Sequence, residues 1–445
     1  MRDWWLIILA LGALTPFIII IWRARRTTAS IASQTAAPKA PRVLKPRTPD
    51  DCPLCRRPHP TPLLGYVRKP GVKPWPTRKS RRGPAKRVCT AGHACPNAAC
   101  DYHGNAESTF HALVGNGRRN GIQQLKCQAC QTGFSSRWGT ALYRLRTPAH
   151  AVAQALLAFN LGLSAAEVQL LLGHSDTTLR LWLTRAGLHA QRVHHHFFQN
   201  LPLGHLQFDE LYTTLRDKAQ DLWIWVAFDP KTKLIPAIQL GPRTQAMAHA
   251  VVHAVGHVLA PGCIPVCTSD GLNLYFYALT AHFGAWCTDP TTGKTAWQVA
   301  LNLLYGQVKK AYRRRKIVKV ERQMQLGQLA DLQAALRDQG FTGSINTAFI
   351  ERLNLTLRHA LAALTRRSWA TAQLTPELEV HLEWWRLYYH FCRPHQALRT
   401  KLETPHARRG RQTPRGYQAC TPAMAAKFTD HVWSVEELLS FPIMV

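Results

Sequence analysis

Acidic residues are scarce in this chain. It holds 25 Asp and Glu against 56 Lys and Arg in 445 residues, a formal charge of +31. An imbalance of that size calls for a polyanion as partner, nucleic acid before an acidic membrane. No convincing small-residue cleavage site follows the apolar N-terminal run, which argues against a secretory signal. Without export, disulfides are not expected, and the 12 cysteines, mostly clustered as pairs, read as reduced thiolates on metal. Apolar residues are not in short supply: at 46% they suffice for roughly two to four domains with real cores.

Along the chain, Trp4 to Trp22 carries no charge and is long enough to cross a bilayer, with Arg23, Arg25 and Arg26 directly after it. Residues 1–26 are therefore expected to form a hydrophobic, membrane-associating helix. The positive-inside rule leaves the bulk of the chain cytoplasmic, at the inner face of the membrane. A buried helix or a functionless upstream extension would read the same way. Residues 27–50 have the Ala, Ser, Thr, Pro and basic composition of a disordered linker. Residues 51–146 are rich in cysteine. Cys52-Pro-Leu-Cys55 is a knuckle with His59, Cys89 and His93 as further ligand candidates, and Lys79 to Arg87 is a basic run suited either to phosphates or to solvent. Cys95 and Cys100 with Cys127 and Cys130 make two thiolate pairs, the arrangement of a zinc ribbon tied by one structural Zn²⁺; Gly115-Asn-Gly117 between them predicts a turn.

Residues 147–196 predict a helix-turn-helix. Pro148 opens a helix to about Asn160, Ser164 and Glu167 form a capping box, Gly173-His174-Ser175 makes the turn, and Ser175 starts a helix to about Ala186. Its outer side would offer Asp176, Thr177, Thr178, Arg180 and Arg185 to a major groove of double-stranded DNA. The His194-His195-His196 run is read as an interdomain connector, because consecutive residues cannot all face one ion. Residues 201–400 read as mixed α/β and 401–445 as a C-terminal tail. The expected strands are Leu206–Leu215, Leu222–Phe228, Leu234–Leu240 and Cys263–Thr268, and a basic stretch from Lys309 to Lys316 runs into a further strand through Val320.

Three carboxylates stand out by position. Asp209 and Asp270 sit in or at the end of apolar strands. Glu351 lies on an amphipathic helix whose stripe Ile350, Leu353, Leu357, Leu361 and Leu364 faces a core, while Thr347, Glu351, Asn354 and Arg358 share another face. Asp, Asp and Glu in that order can hold two divalent metals for attack on a phosphodiester. Glu210 is set aside because neighbouring strand residues point to opposite faces. Asp229 and Asp289, each before proline, are read as turn residues.

The segments Phe208-Asp-Glu-Leu211, Thr268-Ser-Asp-Gly271, Asn346-Thr-Ala-Phe-Ile-Glu-Arg352 and Tyr388-Tyr-His-Phe-Cys-Arg-Pro-His-Gln-Ala-Leu398 resemble the motifs of insertion-sequence transposases of the DDE class. The resemblance runs from about Cys52 to the C-terminus and implies an RNase H-like, integrase-type core behind a zinc ribbon and a helix-turn-helix. It further implies that Asp209, Asp270 and Glu351 coordinate two Mg²⁺ or Mn²⁺ ions. The protein would bind the ends of its element and catalyse strand cleavage and transfer, as at least two protomers pairing the ends. Lys309, Lys310, Arg313, Arg314 and Arg358 are expected on the DNA. Arg393, His395 and Arg399 are explained equally well by packing. A DNA-binding regulator without catalysis and a structure-selective nuclease are the competing expectations. The N-terminal apolar segment departs from the family plan.

Overall fold

The computed structural model describes residues 71–76, 88, 90, 92–107, 110–215, 221–314, 316–365, 375–408 and 411–443. The chain divides into Met1–Pro58 and His59–Val445, and every described residue belongs to the second unit. Trp4–Trp22, the linker, Cys52, Cys55, His59, Cys89 and the Lys79–Arg87 run lie outside the described residues. Among those described, no helix is long and apolar enough to cross a membrane.

The first layer is a small antiparallel sheet of β1 (Leu113–Arg119), β2 (Ile122–Cys127) and β3 (Gly133–Ser135), in that order. Its tight turn is not at Gly115-Asn-Gly117, as the sequence suggests, but at Asn120-Gly121, where both residues have positive φ, 52° and 76°. That is the conformation a two-residue hairpin of matching twist requires. Gly115–Gly117 lies inside β1, where the register slips between Gly115 and Arg118.

Next come α1 (Ala149–Asn160), α2 (Ala165–Leu172) and α3 (Asp176–Phe197). The caps fall where the sequence puts them. Ser164 and Glu167 complete a capping box, Gly173 ends α2 at φ 72°, and Ser175 accepts from the Thr178 amide. The expected end of α3 near Ala186 is wrong by three turns. Gly187 reads as a stop, but the helix runs through it because a later helix, Thr375–Phe391, packs there, and Leu179, Trp182, Ala186, Ala190 and Val193 continue one buried stripe. His194, His195 and His196 are consequently the last turn of α3 rather than a connector.

A six-stranded mixed sheet fills the centre, flanked by helices, so the class is α/β. Its chain order is β4 (His205–Thr214), β5 (Asp221–Phe228), β6 (Ala237–Gly241), α4 (Gln245–Val258), β7 (Val266–Asp270), α5 (Leu274–His282), an inserted hairpin of β8 (Gly284–Thr288) and β9 (Thr295–Val299), then β10 (Tyr305–Arg313) and β11 (Lys316–Leu326). Spatially it runs β11-β10-β7-β4-β5-β6, with β4, β7 and β10 parallel and the other neighbours antiparallel. The third strand is shorter than expected because Asp229 to Leu234 closes a turn: the Asp229 carboxylate accepts the Lys231 and Thr232 amides. The basic stretch after Val308 is itself strand; the chain reverses at Arg314, and β10 and β11 form one long hairpin.

α6 (Leu329–Asp338), α7 (Ala348–Ala360) and α8 (Thr375–Phe391) follow. Alternation along β4 assigns the two sheet faces. Leu206 and Phe208 pack under α4 and α5, against Val251, Val255 and Tyr275. Leu211 packs under α7 and α8 with Ile350, Leu353, Leu357, Leu382 and Trp385. The full apolar stripe expected around Glu351 is buried, although Leu361 and Leu364 lie beyond the helix end. α8 is apolar on both sides. It gives Trp385 to the sheet and Trp384, Leu387 and Phe391 to the α1–α3 layer, and a Cβ on Gly187 of α3 would overlap the Val380 carbonyl of α8. The remaining chain forms the hairpin β12 (Thr400–Arg408) and β13 (Arg411–Gln418), then α9 (Pro422–Ala425) and α10 (Val435–Ser440). Trp433, Leu438 and Phe441 return into the α1–α3 core, so that layer draws on both ends of the described chain.

Candidate metal and carboxylate sites

In the small sheet, one sulfur of each cysteine, Cys95, Cys100, Cys127 and Cys130, lies within 4.8 Å of the other three. Cys95 Sγ is 3.5 Å from Cys130 Sγ, and Cys100 Sγ is 3.8 Å from Cys127 Sγ. A tetrahedral ion with metal–sulfur bonds of about 2.3 Å needs sulfurs about 3.8 Å apart, so the cluster has the size of one thiolate-bound metal. Burial pushes the Cys95 thiol well up and Cys100 to about 11, while bonds from Thr132 hold Cys130 down at about 6 against its own burial. Four clustered sulfurs, three of them buried, with Cys95 and Cys100 pushed up and Cys130 held down, are relieved by a shared cation.

The second cluster is acidic. β4 pairs with β7 only as far as Phe208 opposite Ser269, whereas β7 pairs with β10 through Asp270 opposite Val308. Beyond Phe208 the parallel strands part, and the carboxylates of Asp209, Glu210 and Asp270 meet in the gap, within 4.8 Å of one another. The geometric ground for setting Glu210 aside therefore fails, since its carboxylate does reach the group. Its side chain does point to the opposite face from Asp209, but where β7 stops no strand separates the faces, and a carboxylate reaches round. Glu210 accepts from Arg243 and lies 3.3 Å from the Tyr275 hydroxyl.

Burial, then the Asp270 and Glu210 charges, raise Asp209 to about 7. Burial also raises Asp270 and Glu210, the latter opposed by Arg243. A carboxylate raised by burial and by its neighbours' charges, as Asp209 is, is poised to accept a cation. A hydrogen-bonded layer fixes the strand end: the Ser269 hydroxyl meets Tyr305 at 2.7 Å, Gln307 donates to Tyr305 at 2.8 Å, and Asp270 Oδ1 accepts the Leu272 amide at 3.0 Å.

Glu351 stands across the same opening. It lines a cavity of about 560 Å³ together with Asp209, Leu211, Asn354 and Arg358. Asn354 donates to Asp209 Oδ2 at 2.8 Å. Glu351 itself accepts from Lys310 and Thr347, and so leans toward the β10–β11 hairpin rather than into the three-carboxylate cluster. Sequence reasoning missed the residue that sets this helix. Gln207, fully buried on β4, accepts the Ile350 amide at 2.9 Å and donates to the Asn346 carbonyl at 2.7 Å, pinning the start of α7 beside Asp209. Its signal was a glutamine two residues before an aspartate, on the same side of the strand and flanked by the apolar Leu206 and Phe208.

The expected DNA-facing residues divide. Lys309 lies against Gly271, Lys310 holds Glu351, and Arg313 and Arg314 are exposed at the hairpin tip. Arg358 donates to the Tyr212 carbonyl at 3.4 Å. On α3, Thr177 is exposed, Thr178 sits in the Ser175 cap, and Arg180 pairs with Asp176 at 2.7 Å and Glu377 at 3.3 Å. Arg185 does not face outward: its guanidinium turns in to the carbonyls of Ala141 and Tyr143, tying α3 to the segment before α1. No family model matches the chain, and a search of curated proteins finds no match either.

Proposed function

We propose that the chain is a DNA transposase of the DDE class that binds the ends of its element and cleaves and joins strands. The observation that carries this reading is the pair Asp209 and Asp270, brought together by burial where two parallel strands part, with Glu351 across the same cavity. The strand order supports it. Counting from β4, the sheet reads third, second, first, fourth, fifth, which is the RNase H-like order, with β11 added at the edge.

On this reading Asp209, Asp270 and Glu351 hold two Mg²⁺ or Mn²⁺ ions, which would supply an activated oxygen nucleophile and charge for the leaving oxygen. Asn354 keeps Asp209 aimed at the opening, and Arg243 keeps Glu210 from adding an unbalanced charge. Zn²⁺ at the four cysteines would serve structure alone. Double-stranded DNA would lie on the exposed side of α3 and on the β10–β11 hairpin, with Lys309, Lys310, Arg313 and Arg314 against phosphates. At least two protomers would pair the ends, on the cytoplasmic side, with any membrane tether residing in residues 4–22.

The test is strand transfer with Mg²⁺ or Mn²⁺ on the DNA flanking the coding gene, comparing the full chain with Asp270→Asn. Joined products from the parent alone, with end binding retained by the variant, are expected. Joined products at the parent level from Asp270→Asn would remove that residue from the metal site and refute the reading.

A further inference from the structure

Four histidines meet on one face of the central unit, away from both clusters above. His249, His253 and His257 follow at intervals of four along α4, which stacks them on one side of the helix, and His282 is in the last turn of the neighbouring α5. The Nε2 atoms of His253 and His257 are 3.0 Å apart. The His282 ring centre is 5.5 Å from that of His253 and 5.4 Å from that of His249. Arg243, which touches Glu210, precedes His253 by ten residues. None of the four histidines belongs to the cysteine or the carboxylate cluster.

Two imidazole nitrogens at this distance share a proton or share an ion. Bonds of about 2.0–2.1 Å at octahedral to tetrahedral angles require nitrogens about 2.9–3.4 Å apart, and the observed spacing lies in that window. His282 touches the His253 ring without becoming a third ligand: its Nδ1 is committed to the Ala278 carbonyl at 2.8 Å, and the three rings do not bring their nitrogens within 4.8 Å of one another. His253 and His257 are exposed and His249 and His282 half-buried, so an ion reaches the group without opening the core.

We propose that His253 and His257, one turn apart on α4, form a bidentate site for a divalent transition metal, with water completing the shell. The all-imidazole donor set selects Zn²⁺, Ni²⁺, Co²⁺ or Cu²⁺ over Mg²⁺. The site is thus distinct in kind from the carboxylates, and it does not depend on the transposase reading.

The test is calorimetric titration of the full chain with Ni²⁺, after the four cysteines have been loaded with zinc and excess metal removed. Metal content is measured alongside. With Mg²⁺ present throughout to occupy the carboxylates, the parent should take up one Ni²⁺ more than the His253→Ala/His257→Ala double variant and melt at a higher temperature with it. His253→Ala and His257→Ala should each weaken this binding at least tenfold, with melting temperatures unchanged in the absence of Ni²⁺. Uptake that is the same in parent and the His253→Ala/His257→Ala double variant overturns the proposal. So does a parent that binds no Ni²⁺, in which case the 3.0 Å contact is a shared proton.

Discussion

Acid should destabilise this protein through His381. The residue sits on α8 at 8% exposure, edge-on to Phe159 at 5.8 Å, with Nε2 buried and unpartnered and the Phe159 carbonyl as its single backbone partner. Burial pushes it down to about 4 from an ordinary 6.5. A depressed histidine contributes stability that is complete above the unfolded value and is lost as pH falls toward the folded one, because the unfolded chain takes the proton first. Between pH 7.5 and 4.5 the two values give a loss of about 2.5 kcal/mol from this ring alone, at 1.36 kcal/mol per unit. Against a typical stability of about 5–15 kcal/mol that is a measurable fraction. His189, held at about 4, and His205, at about 3, add to the acid loss in both proteins and cancel in a comparison. Urea unfolding followed by tryptophan fluorescence at the two pH values, for parent and His381→Leu, reads the difference. The parent should lose about 2.5 kcal/mol more than the variant. Equal losses would refute a neutral, buried His381.

Lys310→Gln frees Glu351 from an exposed contact worth about 0.5–1 kcal/mol, so Mn²⁺ should bind the carboxylates about 2- to 5-fold tighter without DNA. The same change should lower the salt slope of DNA binding by about one; unchanged metal affinity and slope would sever the link between hairpin and site. Cys127→Ser should cost the protein the zinc held by Cys95, Cys100, Cys127 and Cys130, read by metal analysis against the parent, and expose the β1–β3 segment to protease; a zinc content equal to the parent's counts against the four-cysteine centre. Gln207→Ala leaves the Ile350 amide and the Asn346 carbonyl without their partner. It should cost about 2–3 kcal/mol in chemical unfolding and reduce strand transfer, and a variant of parental stability would show that α7 is set by its apolar stripe alone.

Where one local rule governed, the sequence was sufficient. Caps at Ser164 and Ser175, the stripe from Ile350 to Leu364 and the strand order of polar and apolar residues in β4 each follow from nearest-neighbour chemistry, and each stands in the structure. What was missed depends on contacts distant in sequence. The length of α3 follows from α8, which arrives about two hundred residues later and covers Ala186, Gly187 and Ala190. Arg185 reads as a groove-facing cation until the carbonyls of Ala141 and Tyr143 are placed beside it. Residues 422–443 read as a tail although more than half of them are apolar, because what they pack on, α1 and α3, lies more than two hundred residues earlier. Two Asn-Gly dipeptides competed for one turn, and the hairpin register, not the dipeptide, chose Asn120-Gly121.

The carboxylates show how far sequence order alone goes. It singled out Asp209, Asp270 and Glu351 but not the division of labour that charge imposes among four acids. Glu210 and Glu351 each have a cation from an adjoining loop or hairpin, Arg243 and Lys310. Asp209 and Asp270 are the inner pair and form no ion pair among the described residues, although Arg243 and Lys310 act on Asp270 from a distance. Burial and the neighbouring carboxylates hold Asp209 near 7, and burial raises Asp270, so both are favoured in a less charged state in the free protein. A single divalent ion would balance the pair without a proton, and a second would leave the gap positive by about two charges, matched by the phosphodiester and its attacking oxygen. Lys310 links the two states. If it turns to a DNA phosphate, Glu351 is released with its charge just when the second ion needs a ligand. On the proposed reading, DNA on the hairpin and metal at the carboxylates therefore favour each other, and by reciprocity the factor by which DNA tightens Mn²⁺ must equal the factor by which Mn²⁺ tightens DNA.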